Sequence, residues 1–276
     1  MLKDIDIYKL PSPCYIVDER LLKKDLEVLD YVQKESGANI ILATKAFSMF
    51  STFPLIGKYL KGVTSSSLFE ARLGYEEMGK QVHIFSPAYR EDEFEDIMKY
   101  SDHIIFNWKL YRDRVKNYKD KKIQCGIRIN PEYSEIETDI YNPCFENSRM
   151  GVTLKNFEEN DLDGIDGLHF HTMCEQNSDT LARTIKVVDE KFGKYIKNMK
   201  WLNFGGGHHI TKDDYDLKTL IESVLYMKNK YNVEIYLEPG EAVALNSGFL
   251  VSTVLDITNN GMDIAILDTS AACHMP

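Results

Sequence analysis

Eight short apolar or β-branched runs punctuate the chain, at 39–43, 62–64, 82–86, 103–107, 123–129, 166–170, 201–204 and 234–237. Charged segments of helical period fill most of the gaps, so the order reads strand, helix, strand, helix. A helix between successive strands makes those strands parallel, because a crossover must carry the chain back to the starting edge. Eight such units within 19–245 match the size of a (β/α)8 TIM barrel, an α/β fold. A doubly wound sheet shows the same alternation, so closure stays open at this point.

The flanks depart from that rhythm. Residues 13–18 read as a short strand after a Pro-rich entry, followed by an amphipathic helix over 19–34 with Leu22, Leu26 and Leu29 on one face. The stretch 131–150 holds Asn130-Pro131 and Asn142-Pro143, which favour turns, and predicts a long irregular loop. Past Glu238 a β-rich run over 242–257 meets Asn259-Asn260-Gly261, a hairpin signal leading into 262–268. The expected division is an N-terminal strand over 1–18 that joins a β domain, a barrel over 19–245, and an incomplete β-rich domain over 246–276. Two strands alone are marginal as a folding unit, so the expectation is that the 1–18 strand joins them or that part of the natural protein is absent.

Charge narrows the function classes. Thirty-three Lys and Arg against 43 Asp and Glu give a net charge of −10, which argues against nucleic acid or an anionic membrane as partner and suits a cationic small molecule. The five cysteines are scattered without a C-x-x-C pair, so neither a disulfide framework nor a zinc site is expected. The start is charged, without a signal-like apolar core, and no apolar run approaches about 18 residues. These features predict a soluble cytoplasmic protein.

In a parallel barrel, reactive groups gather where the strands end. Those ends carry Lys45, Ser65-Ser66-Ser67, Arg128-Ile129-Asn130, His169-Phe170-His171, Gly205-Gly206-Gly207 and Glu238-Pro239-Gly240-Glu241. An amine delivered by a buried strand suits a Schiff base, because partial desolvation makes it nucleophilic. Three consecutive glycines let backbone N–H groups crowd a phosphate. Together Lys45 and Gly205–Gly207 point to a phosphorylated, imine-forming cofactor, and pyridoxal 5'-phosphate is the obvious candidate. Glu238 against a pyridine nitrogen would keep that nitrogen protonated, and His171 could stack on a planar ring. Each feature taken alone has a plainer reading: a strand-capping lysine, a flexible turn, an exposed glutamate, a core histidine.

The series Ala43-Thr-Lys-Ala46, Ser65-Ser-Ser67, Arg128-Ile-Asn-Pro131, His169-Phe-His-Thr172, Phe204-Gly-Gly-Gly207 and Glu238-Pro-Gly-Glu241 resembles the fold-type III pyridoxal-phosphate decarboxylases, the alanine racemase-like barrels. Within them, Thr172-Met-Cys-Glu-Gln176 and Asp268-Thr-Ser-Ala-Ala-Cys-His-Met-Pro276 resemble the carboxynorspermidine/carboxyspermidine decarboxylases of bacterial polyamine (spermidine) biosynthesis. The resemblance implies that Lys45 forms the imine, that Ser66 and Gly205–Gly207 hold the cofactor, that His171 stacks on it, and that Glu238 meets its ring nitrogen. Arg128 would orient the cofactor or Glu238, with a structural core arginine as the open alternative. Glu241, where relatives with simpler substrates commonly have Arg, would pair with a secondary ammonium of a polyamine and repel a second carboxylate. Asp268 and His274 would complete the substrate-binding edge, although Asp268 also reads as a hairpin-end residue.

The resemblance further implies a homodimer with its active site at the interface. A completed second domain would there supply a cysteine acid and a phosphate-contacting tyrosine, which this chain, ending at Pro276, does not contain. Cys273 is a poor substitute because it lies inside a different motif. The implied reaction is decarboxylation of carboxynorspermidine or carboxyspermidine. The alternatives are a diaminopimelate decarboxylase or an amino-acid racemase of the same fold, and a non-catalytic cofactor-binding barrel.

Overall fold

The computed structural model describes residues 5–108, 123–158 and 162–275. Pro276, the end of the terminal motif, and the first four residues of the 1–18 strand segment lie outside the described residues. A short strand, β1 (Cys14–Val17), leads into helix α1 (Glu19–Ser36). Asp18 starts that helix by accepting the Arg20 N–H, Leu22, Leu26, Leu29 and Val32 form its buried stripe, and Gly37 ends it at φ 67°.

Eight parallel strands follow, where the eight apolar runs predict them. They are β2 (Asn39–Ala43), β3 (Gly62–Ser65), β4 (Gln81–Phe85), β5 (His103–Phe106), β6 (Gln124–Asn130) and, after a two-residue side strand β7 (Val152–Thr153), β8 (Gly167–His169), β9 (Trp201–Asn203) and β10 (Glu234–Leu237). The sheet closes into one ring: β10 pairs with β2 through Tyr236 and Asn39, and β5 pairs with β6 through His103 and Gln124. Closure excludes the doubly wound alternative. Helices α2 (Phe53–Ile56), α3 (Leu68–Leu73), α4 (Phe94–Tyr100), α5 (Ser178–Ile196) and α6 (Leu217–Tyr231) lie in the crossovers. Between β6 and β8 the described residues contain no α-helix, only 3-10 turns at Asp139–Tyr141 and Leu154–Asn156. The turn-forming residues of 131–150 anticipate that excursion.

Two apolar clusters hold the barrel. The larger lies between strands and helices, and a small one of Ile41, Ile105, Trp201 and Tyr236 fills the interior. The floor needs glycine. A Cβ at Gly167 would stand 2.0 Å from the Trp201 ring and one at Gly126 would stand 2.3 Å from it, so both strands leave room for the indole. His103 stacks on Trp201 at 5.2 Å between ring centroids, and His83 lies 3.9 Å from His103. This plug leaves the open end of the barrel at the C-terminal ends of the strands.

Beyond the barrel, β11 (Gly248–Val251) pairs antiparallel with β1, Cys14 opposite Val251. A hairpin of β12 (Val254–Asn259) and β13 (Asp263–Leu267) follows, closed where Asn259 faces Asp263. These strands form a separate β-rich region, and every residue of the hairpin strands is exposed. Among the described residues no helix is long and apolar enough to cross a membrane.

Candidate active site

The turn after β2 carries Lys45, and Thr44 fixes it. The Thr44 Oγ1 donates to Thr64 O at 3.0 Å and to Glu70 Oε2 at 2.9 Å. The same Glu70 oxygen accepts the Ser66 N–H at 2.9 Å, so one carboxylate from α3 ties together the turns bearing Lys45 and Ser66. Sequence reasoning missed Glu70. Its signal was the Ser67-x-x-Glu70 capping spacing at the start of α3, where Ser67 Oγ accepts the Glu70 N–H.

On the neighbouring strand, Glu238 follows β10, which pairs with β2, and is buried. Its Oε1 accepts from Asn203 Nδ2 at 2.7 Å, and its Oε2 lies 3.3 Å from His169 Nε2. Burial alone would raise this carboxyl, but His169 and the Asn203 amide outweigh it and hold the group well below the usual carboxylate range. Burial acts the other way on the imidazoles and lowers both His169 and His171; Glu238 opposes the shift, and Arg128 and Lys45 add to it. Neither Asn203 nor the pairing of His169 with Glu238 was anticipated from sequence.

His171 and the glycine turn meet directly. The Gly206 N–H donates to His171 Nδ1 at 2.8 Å, which fixes the plane of the imidazole. The Gly205 N–H donates to Asn203 Oδ1 at 2.8 Å. Two of the three glycine donors expected to cradle a phosphate are therefore committed to side chains. The turn still requires glycine: Gly205 and Gly207 sit at φ 71° and 83°, and a Cβ at Gly206 would lie 2.5 Å from Glu238 O. Arg128 donates from Nη2 to His171 O at 3.2 Å and lies 4.5 Å over the Phe85 ring. It orients His171 rather than pairing with Glu238, and burial pushes its guanidinium down to about 10.

These groups line one cavity of about 1030 Å³, which brings together Lys45, Ser66, Arg128, His171, Gly206, Gly207, Glu238 and Glu241. Gly205 stands behind the wall, bonded to Asn203. Five buried polar atoms of the wall, Ser65 Oγ, Arg128 Nε, His169 Nδ1 and both ring nitrogens of His208, have no hydrogen-bond partner. At the rim, Glu175, His209 and Glu241 present ligand atoms all within 4.8 Å of one another, and His209 Nε2 lies 3.1 Å from Glu241 Oε2. Such a cluster can hold a cation, whether a metal ion or an ammonium.

Two anticipated residues lie elsewhere. Asp268 accepts from Ser12 Oγ at 2.7 Å, Ser252 Oγ at 2.8 Å and the Thr253 N–H at 2.9 Å, tying the entry of β1 to the hairpin. His274 sits in a four-residue helix, Ala271–His274, whose last carbonyl accepts from the Tyr15 hydroxyl. Neither reaches the cavity wall of this chain.

No family model matches the chain. The carboxynorspermidine/carboxyspermidine decarboxylase of Campylobacter jejuni is 47% identical over 268 residues, covering 97% of this chain and 70% of the relative. The chain belongs to that decarboxylase family. A carboxyaminopropylagmatine decarboxylase of Synechocystis is 38% identical over 282 residues, covering 100% of this chain and 72% of the relative. The crystal structure of carboxynorspermidine decarboxylase complexed with norspermidine from Campylobacter jejuni superposes with a TM-score of 0.89 at 45% identity, covering 97% of this chain and 70% of that one. This chain thus shares, across nearly all of its own length, the alanine racemase-like barrel of fold type III. These relatives favour a decarboxylase over a racemase or a non-catalytic barrel.

Proposed function

We propose that this decarboxylase removes CO2 from carboxynorspermidine or carboxyspermidine in polyamine biosynthesis, using pyridoxal 5'-phosphate. The observation that carries the reading is one cavity wall shared by Lys45, the glycine turn and Glu238. The wall suits that cofactor: unpartnered Ser65 Oγ, Arg128 Nε and His169 Nδ1 offer polar contacts, and a side chain on Gly206 would crowd the turn.

When bound, pyridoxal phosphate supplies an imine-forming aldehyde and an electron-withdrawing ring that eases loss of CO2. Lys45 is the amine that holds it, on a turn braced by Thr44 and Glu70. Glu238, ionised between Asn203 and His169, retains a proton on the ring nitrogen. His171 presents its ring face in a plane set by the Gly206 N–H. With the Gly205, Gly206 and Ser66 N–H donors taken, the Ser66 hydroxyl and the Gly207 N–H are the donors of these turns that would hold the phosphate.

The rim selects the substrate. Glu175 and Glu241 attract the ammonium groups of a polyamine and repel a second carboxylate, which disfavours diaminopimelate. We place the enzyme in the reducing cytoplasm, as its five unpaired cysteines suit, and as a homodimer.

The test is CO2 release by pyridoxal-phosphate-loaded protein from carboxynorspermidine, carboxyspermidine, carboxyaminopropylagmatine and diaminopimelate. The first two should be turned over fastest. Release from diaminopimelate alone, or from none of the four, would sink the reading. Lys45→Ala should abolish the visible absorbance of the covalently held cofactor; persistence of that band removes Lys45 from its role.

A further inference from the structure

We propose that Asn203 is a positioning residue: its amide ties the Glu238 side chain to the glycine turn beside it, so the carboxylate and the turn keep one fixed separation. The proposal rests on the pyridoxal-phosphate reading above and adds a residue that reading does not require. Asn203 ends β9 and is wholly buried. Nδ2 donates to Glu238 Oε1 at 2.7 Å while Oδ1 accepts the Gly205 N–H at 2.8 Å. The backbone already joins the same two segments, because the Glu238 N–H donates to Gly205 O at 2.8 Å. Strand pairing therefore does not depend on the amide. What the amide adds is control of the Glu238 side chain and commitment of the Gly205 donor.

Only a neutral group that donates at one end and accepts at the other can do both. An aspartate would keep the bond from Gly205 but set a second carboxylate against Glu238. The other titratable or charged groups around Glu238 are His169, His171, Arg128 and His208, together with Lys45 after the neighbouring β2, which acts on both imidazoles. His169 already serves Oε2, so none of the hydrogen bonds seen there replaces Asn203 at Oε1.

The substitutions Asn203→Asp and Asn203→Ala separate these roles. In Asn203→Asp, two carboxylates in contact share one proton at low pH and repel once both ionise. Its affinity for pyridoxal phosphate, measured by equilibrium dialysis against the parent at each pH, should be near parental at pH 6. By pH 8.5 it should be about tenfold weaker. Asn203→Ala should bind about tenfold more weakly at both pH values, with a folded circular-dichroism spectrum. A pH-independent ratio for Asn203→Asp, or parental affinity in folded Asn203→Ala, overturns the proposal.

A second readout needs no cofactor. Relative to the parent, the melting temperature of cofactor-free Asn203→Asp should drop by several degrees between pH 6 and 8.5. The folded pair holds a proton that the unfolded chain releases, so stability falls as pH rises. An unchanged difference also overturns the proposal. If the parent takes up no pyridoxal phosphate while this shift appears, the cofactor reading has failed and the contact between Asn203 and Glu238 stands.

Discussion

On the proposed reading, Glu241 is an exposed side chain that would set substrate choice without affecting the fold. It stands at the cavity rim beside His209 and Glu175, and no buried contact depends on its carboxylate. Glu241→Arg should leave the melting temperature within a degree or two and lower kcat/KM for a carboxylated triamine roughly tenfold to a hundredfold, about 1–3 kcal/mol of lost charge pairing. Steady-state CO2 release by parent and variant checks this, and an unchanged kcat/KM would remove Glu241 from substrate recognition. That Lys45, Glu238 and Glu241 would gather at one cavity was legible in sequence, because each is a charged residue at a strand end. Asn203 and Glu70 were not, since an asparagine or a helix-start glutamate gains a role only from a partner distant in sequence, Glu238 for one and Thr44 for the other.

At the scale of the elements, the strands could be read because each is a local pattern, and their inward faces were harder to read. Nothing in the run 166–170 marks Gly167 as obligatory until Trp201 is seen lying against it. Gly167→Ala would place a Cβ 2.0 Å from the indole, so either the ring or the strand must move. Overpacking of this kind costs about 1–3 kcal/mol and should lower the melting temperature by several degrees in scanning calorimetry. An unaltered transition would mean that the floor is looser than the packing implies. The crossover after β6 teaches a related lesson. Turn-forming prolines and asparagines announced an irregular segment, but only the fold shows that residues 139–143 and 145–150 form part of the cavity wall.

For the whole molecule, acid sensitivity follows from how its histidines are stored. Of seven, His83, His103, His169, His171 and His208 are all depressed, with burial the leading cause; His103 and His208 are pushed down to about 4. Below about pH 6.5 the unfolded chain binds protons that the folded one refuses, so stability is present above that pH and is lost as pH falls toward 4. Each such histidine contributes a slope of about 1.4 kcal/mol per pH unit in that window. Asp25 runs the other way: burial raises it to about 7, so the fold loses stability as pH rises toward that value. In urea titrations from pH 7 to pH 4, His103→Phe should reduce the slope by about one proton, and an unchanged slope would count against the buried, neutral imidazole. Sequence by itself determined the alternation of eight strands with helices, the strand boundaries to within a residue or so, and the inventory of reactive groups at the strand ends, because periodicity and residue chemistry are local properties. Closure of the sheet, by contrast, was decided by the pairing of β5 with β6. Only the tertiary structure decided which groups touch. It commits two glycine N–H donors to Asn203 and His171, sets Glu238 between His169 and Asn203, and holds Asp268 and His274 away from this chain's own cavity. Those outcomes depend on how segments remote in sequence pack and find hydrogen-bond partners, and no local pattern encodes that choice.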